Sequence, residues 1–120
     1  MSDLENDIKL VKKLLQDDSW LHRLGAVWRL SKLLDETEGC TRVNLLHLLV
    51  DFITGEECNT TRAVAARGLS EHLENTGDVL IGAPLEILEN YLESEPSLVI
   101  REYLHPLILT GVQRREKDNS

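Results

Sequence analysis

Apolar positions recur along this chain with a helical period, and the breaks between the periodic stretches are short. Ser2-Asp3-Leu4-Glu5 is a capping-box pattern, in which the Ser hydroxyl and the Glu carboxylate satisfy free backbone donors at a helix start. Leu4, Ile8, Val11 and Leu15 follow at helical spacing until Asp17-Asp18-Ser19 interrupts them and offers new N-caps. Trp20, Leu24, Val27, Leu30 and Leu34 mark a second helix, and Gly39 is expected to close this first pair. A third helix, about Cys40 to Thr54, is apolar nearly all round, with Asn44, His47 and Asp51 as one narrow polar stripe, so burial on most sides is expected. Gly55 to Asn59 makes the next break, and a fourth helix is predicted from about Thr60 to Glu74, ending at the loop signal Asn75-Thr76-Gly77-Asp78. Leu85, Leu88 and Leu92 mark a fifth helix, and a sixth is predicted to start at Pro96, leaving residues 113–120 as a polar tail.

Sliding the sequence against itself uncovers an internal repeat at a shift of 39 residues. Arg23, Arg62 and Arg101 coincide, as do Leu30, Leu69 and Ile108, and Asp17, Glu56 and Glu95. Leu10, Leu49 and Leu88 coincide in the preceding helices, so the register covers both helices of each pair. The repeats span about residues 3–39, 40–78 and 79–112, within a single domain of residues 1–112.

These residues resemble the HEAT repeats, whose second helix reads roughly Val-Arg-x-x-Ala-Ala-x-x-Leu. Residues 61–69, Thr-Arg-Ala-Val-Ala-Ala-Arg-Gly-Leu, fit nearly throughout; residues 22–30 fit well, and residues 100–108 depart most. Pro84 resembles the proline that often bends the first helix of such a repeat. The resemblance implies an all-α fold, a right-handed α-solenoid of three HEAT-like helix pairs. It also implies that the second helix of each pair lines a concave surface. It is a signature of fold and not of function.

On that reading Trp28, Arg67 and Pro106 form one outward row, with Lys32, Glu71 and Thr110 in the next. Trp and Arg are the types that most often anchor protein interfaces. Trp28 has a second reading, packing with Leu21 and Leu24 over a neighbouring helix. The sixth helix is apolar on more than one face, Tyr103 and Leu107 included, which suggests docking onto a partner or a second copy. The candidate partner-binding residues are therefore Trp28, Lys32, Arg67, Glu71, Tyr103 and Leu107. Arg23, Arg62 and Arg101 share the angle of the core leucines and need carboxylates. Asp18 and Glu57, five residues before the first two, and Glu95, six before the third, are the expected partners in a structural arginine ladder, with an anion site as the alternative.

Composition narrows the classes further. The chain has 120 residues with seven Gly, three Pro and five aromatics, a balance that favours helices over a strand-rich fold. A net charge of -8 argues against a broad grip on nucleic acid or anionic lipid. That charge is uneven: residues 71–102 carry eight acidic groups and one basic, and Glu86, Glu89 and Glu93 form an acidic strip on the fifth helix, either a solvated face or a docking strip for a basic partner. Cys40 and Cys58 have neither disulfide nor zinc-ligand spacing, and no apolar leader or span is seen, so a reduced cytoplasmic location is expected. His22, His47, His72 and His105 lack ligand partners at i,i+4, and Glu71-His72 with Glu74 and Asp78 reads as a solvated helix end. No cofactor, metal or catalytic residue is expected. The leading function is a non-catalytic protein-interaction module or small adaptor, using the concave face or the apolar C-terminal helix. The alternative is a HEAT-like enzyme or nucleic-acid-binding protein, similar to DNA glycosylases or bilin lyases; a glycosylase of that type calls for a basic concave groove with aromatic side chains and more repeats than this chain offers.

Overall fold

Where the pattern breaks, a polar side chain or a glycine ends one helix and begins the next. A computed structural model describes residues 3–119 as α1 (Asp3–Leu14), α2 (Trp20–Glu36), α3 (Gly39–Gly55), α4 (Asn59–Thr76), α5 (Gly82–Tyr91), a 3-10 turn (Leu92–Ser94) and α6 (Leu98–Asp118). The described residues are thus all-α, with six α-helices and no strand. Ser2, which opens the expected capping box, lies outside them. Ser19 and Ser97 cap α2 and α6, their hydroxyls accepting the N–H of His22 and of Ile100 at 3.4 Å. Gly77 caps the end of α4 at φ +73°, a conformation that costs glycine nothing, and donates its N–H to the Leu73 carbonyl at 2.9 Å.

Three boundaries differ from the sequence reading. α6 starts at Leu98 and not at Pro96, because the Ser97 hydroxyl takes the N-cap and leaves the proline outside the helix. Gly39 does not close α2; it opens α3, because α2 already stops at Glu36, where Thr37 turns extended and returns its hydroxyl to the Leu33 carbonyl at 2.7 Å. The polar residues from 113 onward are not a separate tail, since α6 runs unbroken through Pro106 to Asp118. Two ion pairs hold that extension. Arg115 forks onto both carboxylate oxygens of Glu89 at 2.6 and 3.1 Å, and Arg114 meets Asp118 one turn on at 3.4 Å.

Packing follows the apolar stripes. α4 lies between α2 and α6, α3 packs against α2, α4 and α5, and α1 rests on α2. The smallest dimension of the molecule, 21 Å, is about two helix diameters. Leu30, Leu33 and Leu34 of α2, Leu49 and Ile53 of α3, Leu69 of α4 and Leu104 of α6 are fully enclosed in one core. Gly111 lets α6 close on α5: a Cβ there would stand 2.6 Å from the Leu80 carbonyl oxygen and 2.8 Å from Leu85. No helix among the described residues is long and apolar enough to cross a membrane.

Buried ion pairs link successive helix pairs. Arg23 forks onto Glu56, 33 residues on, at 2.7 and 3.0 Å, and also donates to the carbonyls of Asp17 and Asp18 at 2.8 and 3.0 Å. Arg62 repeats the arrangement with Glu95, again 33 residues on, at 2.5 and 2.9 Å, and donates to the carbonyls of Glu56 and Glu57 at 2.9 and 3.4 Å. The carboxylates expected to serve these arginines, Asp18 and Glu57, contribute only their backbone oxygens. The reason is directional. A side chain at the start of the second helix points across to the following pair, so its partner comes from that pair's inter-helix corner. Arg101 departs from the ladder altogether, its exposed guanidinium forming neither hydrogen bond nor ion pair with a described residue, while Glu95 serves Arg62.

Burial by itself would raise the Glu56 and Glu95 carboxyls, but the arginine hydrogen bonds, with the N–H of Cys58 and of Ser97, outweigh it and hold both below the ordinary 4.5. Tyr91, half-buried and donating its O–H to Glu95 at 2.7 Å, is pushed up to about 12, first by burial and then by that bond.

Two predictions follow from the ladder. Arg62→Ala strands the buried Glu95 and should cost about 3–5 kcal/mol in urea unfolding, whereas Arg101→Ala should cost less than about 0.5 kcal/mol; equal losses would contradict the assignment. Depressed carboxyl values mean stability that is complete above the unfolded value of 4.5 and drains away as pH falls through the lower folded values. Raised Tyr91 gives the mirror effect, stability lost as pH climbs from 10 toward 12. Melting temperature against pH should therefore fall at both ends, with the alkaline limb removed in Tyr91→Phe.

Candidate functional site

The strongest candidate site is a groove of about 380 Å³ between α2 and α4, lined by Trp28, Lys32, Val64, Arg67, Gly68 and Glu71, with Ser31 at its floor. Helical spacing creates it: Trp28 and Lys32 stand one turn apart on α2, and Arg67 and Glu71 one turn apart on α4. The floor is set by close approach. A Cβ on Gly68 would lie 2.1 Å from the Ser31 Oγ, so glycine lets α4 come this near without displacing the Ser31 hydroxyl, which is fastened to the Val27 carbonyl at 3.0 Å.

Trp28 is a surface side chain, 59% exposed, which decides between its two sequence readings. Its indole is held partly by charge, because the Lys32 Nζ lies 5.5 Å from the ring centroid, within cation–π range. Across the groove Arg67 donates from Nε to Glu71 at 2.8 Å; both side chains stay exposed, and that bond raises the Arg67 pKa. Tyr103 of α6 lies within electrostatic reach of Arg67. The rim thus combines an aromatic face, two cations and one anion, a surface able to hold an apolar side chain and a neighbouring carboxylate.

The remaining candidates divide. Tyr103 and Leu107 are half-buried and pack on the core; Leu107 also borders a second groove, of about 330 Å³, with Leu73, Leu80 and Pro106. The apolar faces of α6 are largely consumed, with Ile100, Leu104 and Ile108 buried, leaving Leu98, Val99 and Leu109 exposed.

The acidic strip is not one helical stripe. Glu86 and Glu89 are on α5, but Glu93 falls in the 3-10 turn that follows Tyr91, and Glu89 is taken by Arg115. The chain tightens there so that Glu95 can turn inward to Arg62, with the Ser94 hydroxyl fastened to the Tyr91 carbonyl at 2.7 Å.

Sequence reasoning missed two histidine–carboxylate pairs. His47, read as lacking a partner at i,i+4, has its Nε2 3.7 Å from an Asp51 oxygen one turn on, an exposed contact. His72, read as part of a solvated helix end, is 2% exposed, and its Nδ1 lies 2.7 Å from an Asp35 oxygen on α2. The signal was available in the periodicity, since His72 follows Ala65 and Leu69 at i+7 and i+3 on the buried face of α4. Arg29 was missed too; it binds Asp7 of α1 and Glu36 of its own helix and so fixes α1 against α2. Cys40 is exposed and Cys58 stands at the N-cap of α4, each as a free thiol.

Comparison of the chain with protein-family models, with curated proteins and with solved structures finds no match.

Proposed function

We propose that this chain is a right-handed α-solenoid of three HEAT-like helix pairs that acts as a non-catalytic protein-interaction module, receiving its partner in the groove between α2 and α4. Three features support the solenoid: the 39-residue register, the side-by-side order of α2, α4 and α6, and the two ion pairs that recur at one spacing. The observation that carries the function is the exposed Trp28. Leaving an indole more than half in water above a preformed groove gains nothing for folding, whereas a large rigid aromatic with flanking cations is the composition of interface hot spots. Arg67 and Lys32 give the groove a preference for partners that bring a carboxylate beside an apolar anchor.

The test pairs stability with capture. Trp28→Ala should change the free energy of unfolding by no more than about 0.5 kcal/mol, yet abolish partners recovered from the source cell by affinity purification and mass spectrometry. Arg67→Ala should weaken the same partners without changing their identity. Partners retained by Trp28→Ala would overturn the proposal. Salt-sensitive binding of duplex DNA, lost on the same substitutions, would instead favour the nucleic-acid reading.

A further inference from the structure

Among the described residues the ladder of ion pairs is open at both ends, and the two ends are chemically complementary. Glu56 and Glu95 each accept an arginine fork from the preceding helix pair and the N–H two residues on, at 3.0 Å from Cys58 and 2.9 Å from Ser97. Asp17 stands at the same register and makes the same local bond, accepting the Ser19 N–H at 2.9 Å. No arginine side chain among the described residues forks onto it; His22 of the adjoining helix lies 3.1 Å from Oδ1, and the Asp17 side chain is 36% exposed. At the opposite end Arg101 holds the register of Arg23 and Arg62 with its guanidinium exposed. It borders an open groove of about 440 Å³ with Leu92, Leu98 and His105.

Register-equivalent neighbours agree on which surfaces are uncovered. Leu49 and Leu88 are fully buried, but Leu10, their counterpart in α1, is 54% exposed. Val27 and Ala66 are fully buried, but their counterpart His105 in α6 is exposed, and Leu98 nearby is 74% exposed. Charge matches as well: α1 exposes Lys12 and Lys13, and Glu86 and Glu93 stand exposed on and after α5.

We infer that copies of this chain associate head to tail, with Arg101 of one copy and Asp17 of the next forming the rung that Arg23 makes with Glu56 and Arg62 with Glu95. The contact joins two different surfaces, so a dimer made by one rung still carries an unmatched Asp17 and an unmatched Arg101, and copies add until a ring closes or the concentration runs out. Aspartate is one methylene shorter than the glutamate of the internal rungs, and the pair is at the edge of the molecule. The association is therefore reversible and grows with concentration.

Sedimentation velocity of the full 120-residue chain over a concentration series tests this. The mean mass should climb past that of a dimer as concentration rises. Arg101→Ala and Asp17→Asn, the latter keeping an oxygen to accept the Ser19 N–H while losing the charge, should each lose that growth with the chain still folded, as read by circular dichroism. An equimolar mixture of the two variants should form a dimer and nothing larger, because each retains only one competent end. A parent chain that stays monomeric throughout, association that survives in Arg101→Ala, or a mixture that remains monomeric would overturn the inference. Trp28→Ala should associate like the parent, which separates this end contact from the groove.

Discussion

A guanidinium withdrawn from water must meet a carboxylate, and in this protein that requirement sets the distance between helix pairs. Arg62 is almost wholly enclosed, and Glu95 completely so. The chain accommodates this by bending at the right place. The 3-10 turn after α5, the hydroxyl of Tyr91 and the N–H of Ser97 all converge on one side chain. Every oxygen of Glu95 is therefore occupied, consistent with the absence of unpaired buried polar side chains among the described residues. Hydrophobic burial supplies the greater part of the driving force but is indifferent to direction, since it scales with the apolar area removed from water. The forked ion pairs are not indifferent.

Helix class, helix number and the location of most breaks were legible in the sequence because each is written locally, in apolar spacing and in capping residues. So was the repeat, through Arg23 and Arg62 and the leucines that accompany them. What was not legible is which acid each arginine meets. Asp18 and Glu57 are near in sequence and at capping positions, and nothing local distinguishes them from a residue 33 positions away. Only the direction in which the second helix faces its neighbour does so. The same ignorance of direction hid the contact between His72 and Asp35, and the length of α6, whose last turns depend on Arg115 reaching Glu89 on another helix.

The groove illustrates the opposite case. Trp28, Lys32, Arg67 and Glu71 were placed together by helical spacing, the repeat register and the resemblance, and the structure brings them to one rim, whereas Pro106 and Thr110 of the same two rows border a different groove. The sequence left open whether Trp28 faces in or out, because a residue flanked by Leu21 and Leu24 is compatible with either. The buried stripe of α2 resolves it: Ala26, Val27, Leu30, Leu33 and Leu34 already fill the inward arc, and no room is left there for an indole.

Gly68 gives that rim a mechanical property. The Ser31 side chain occupies the place a Gly68 Cβ would take and is tied back to the Val27 carbonyl, so α2 and α4 meet beneath the groove through one short, hydrogen-bonded side chain. The separation of the two helices beneath Trp28 and Arg67 is then set by that one short contact. A ligand of matching width loses little entropy in ordering its receptor, while one of the wrong width finds no compliance to exploit. Selectivity in such a site is a matter of gauge, set by a missing methyl group.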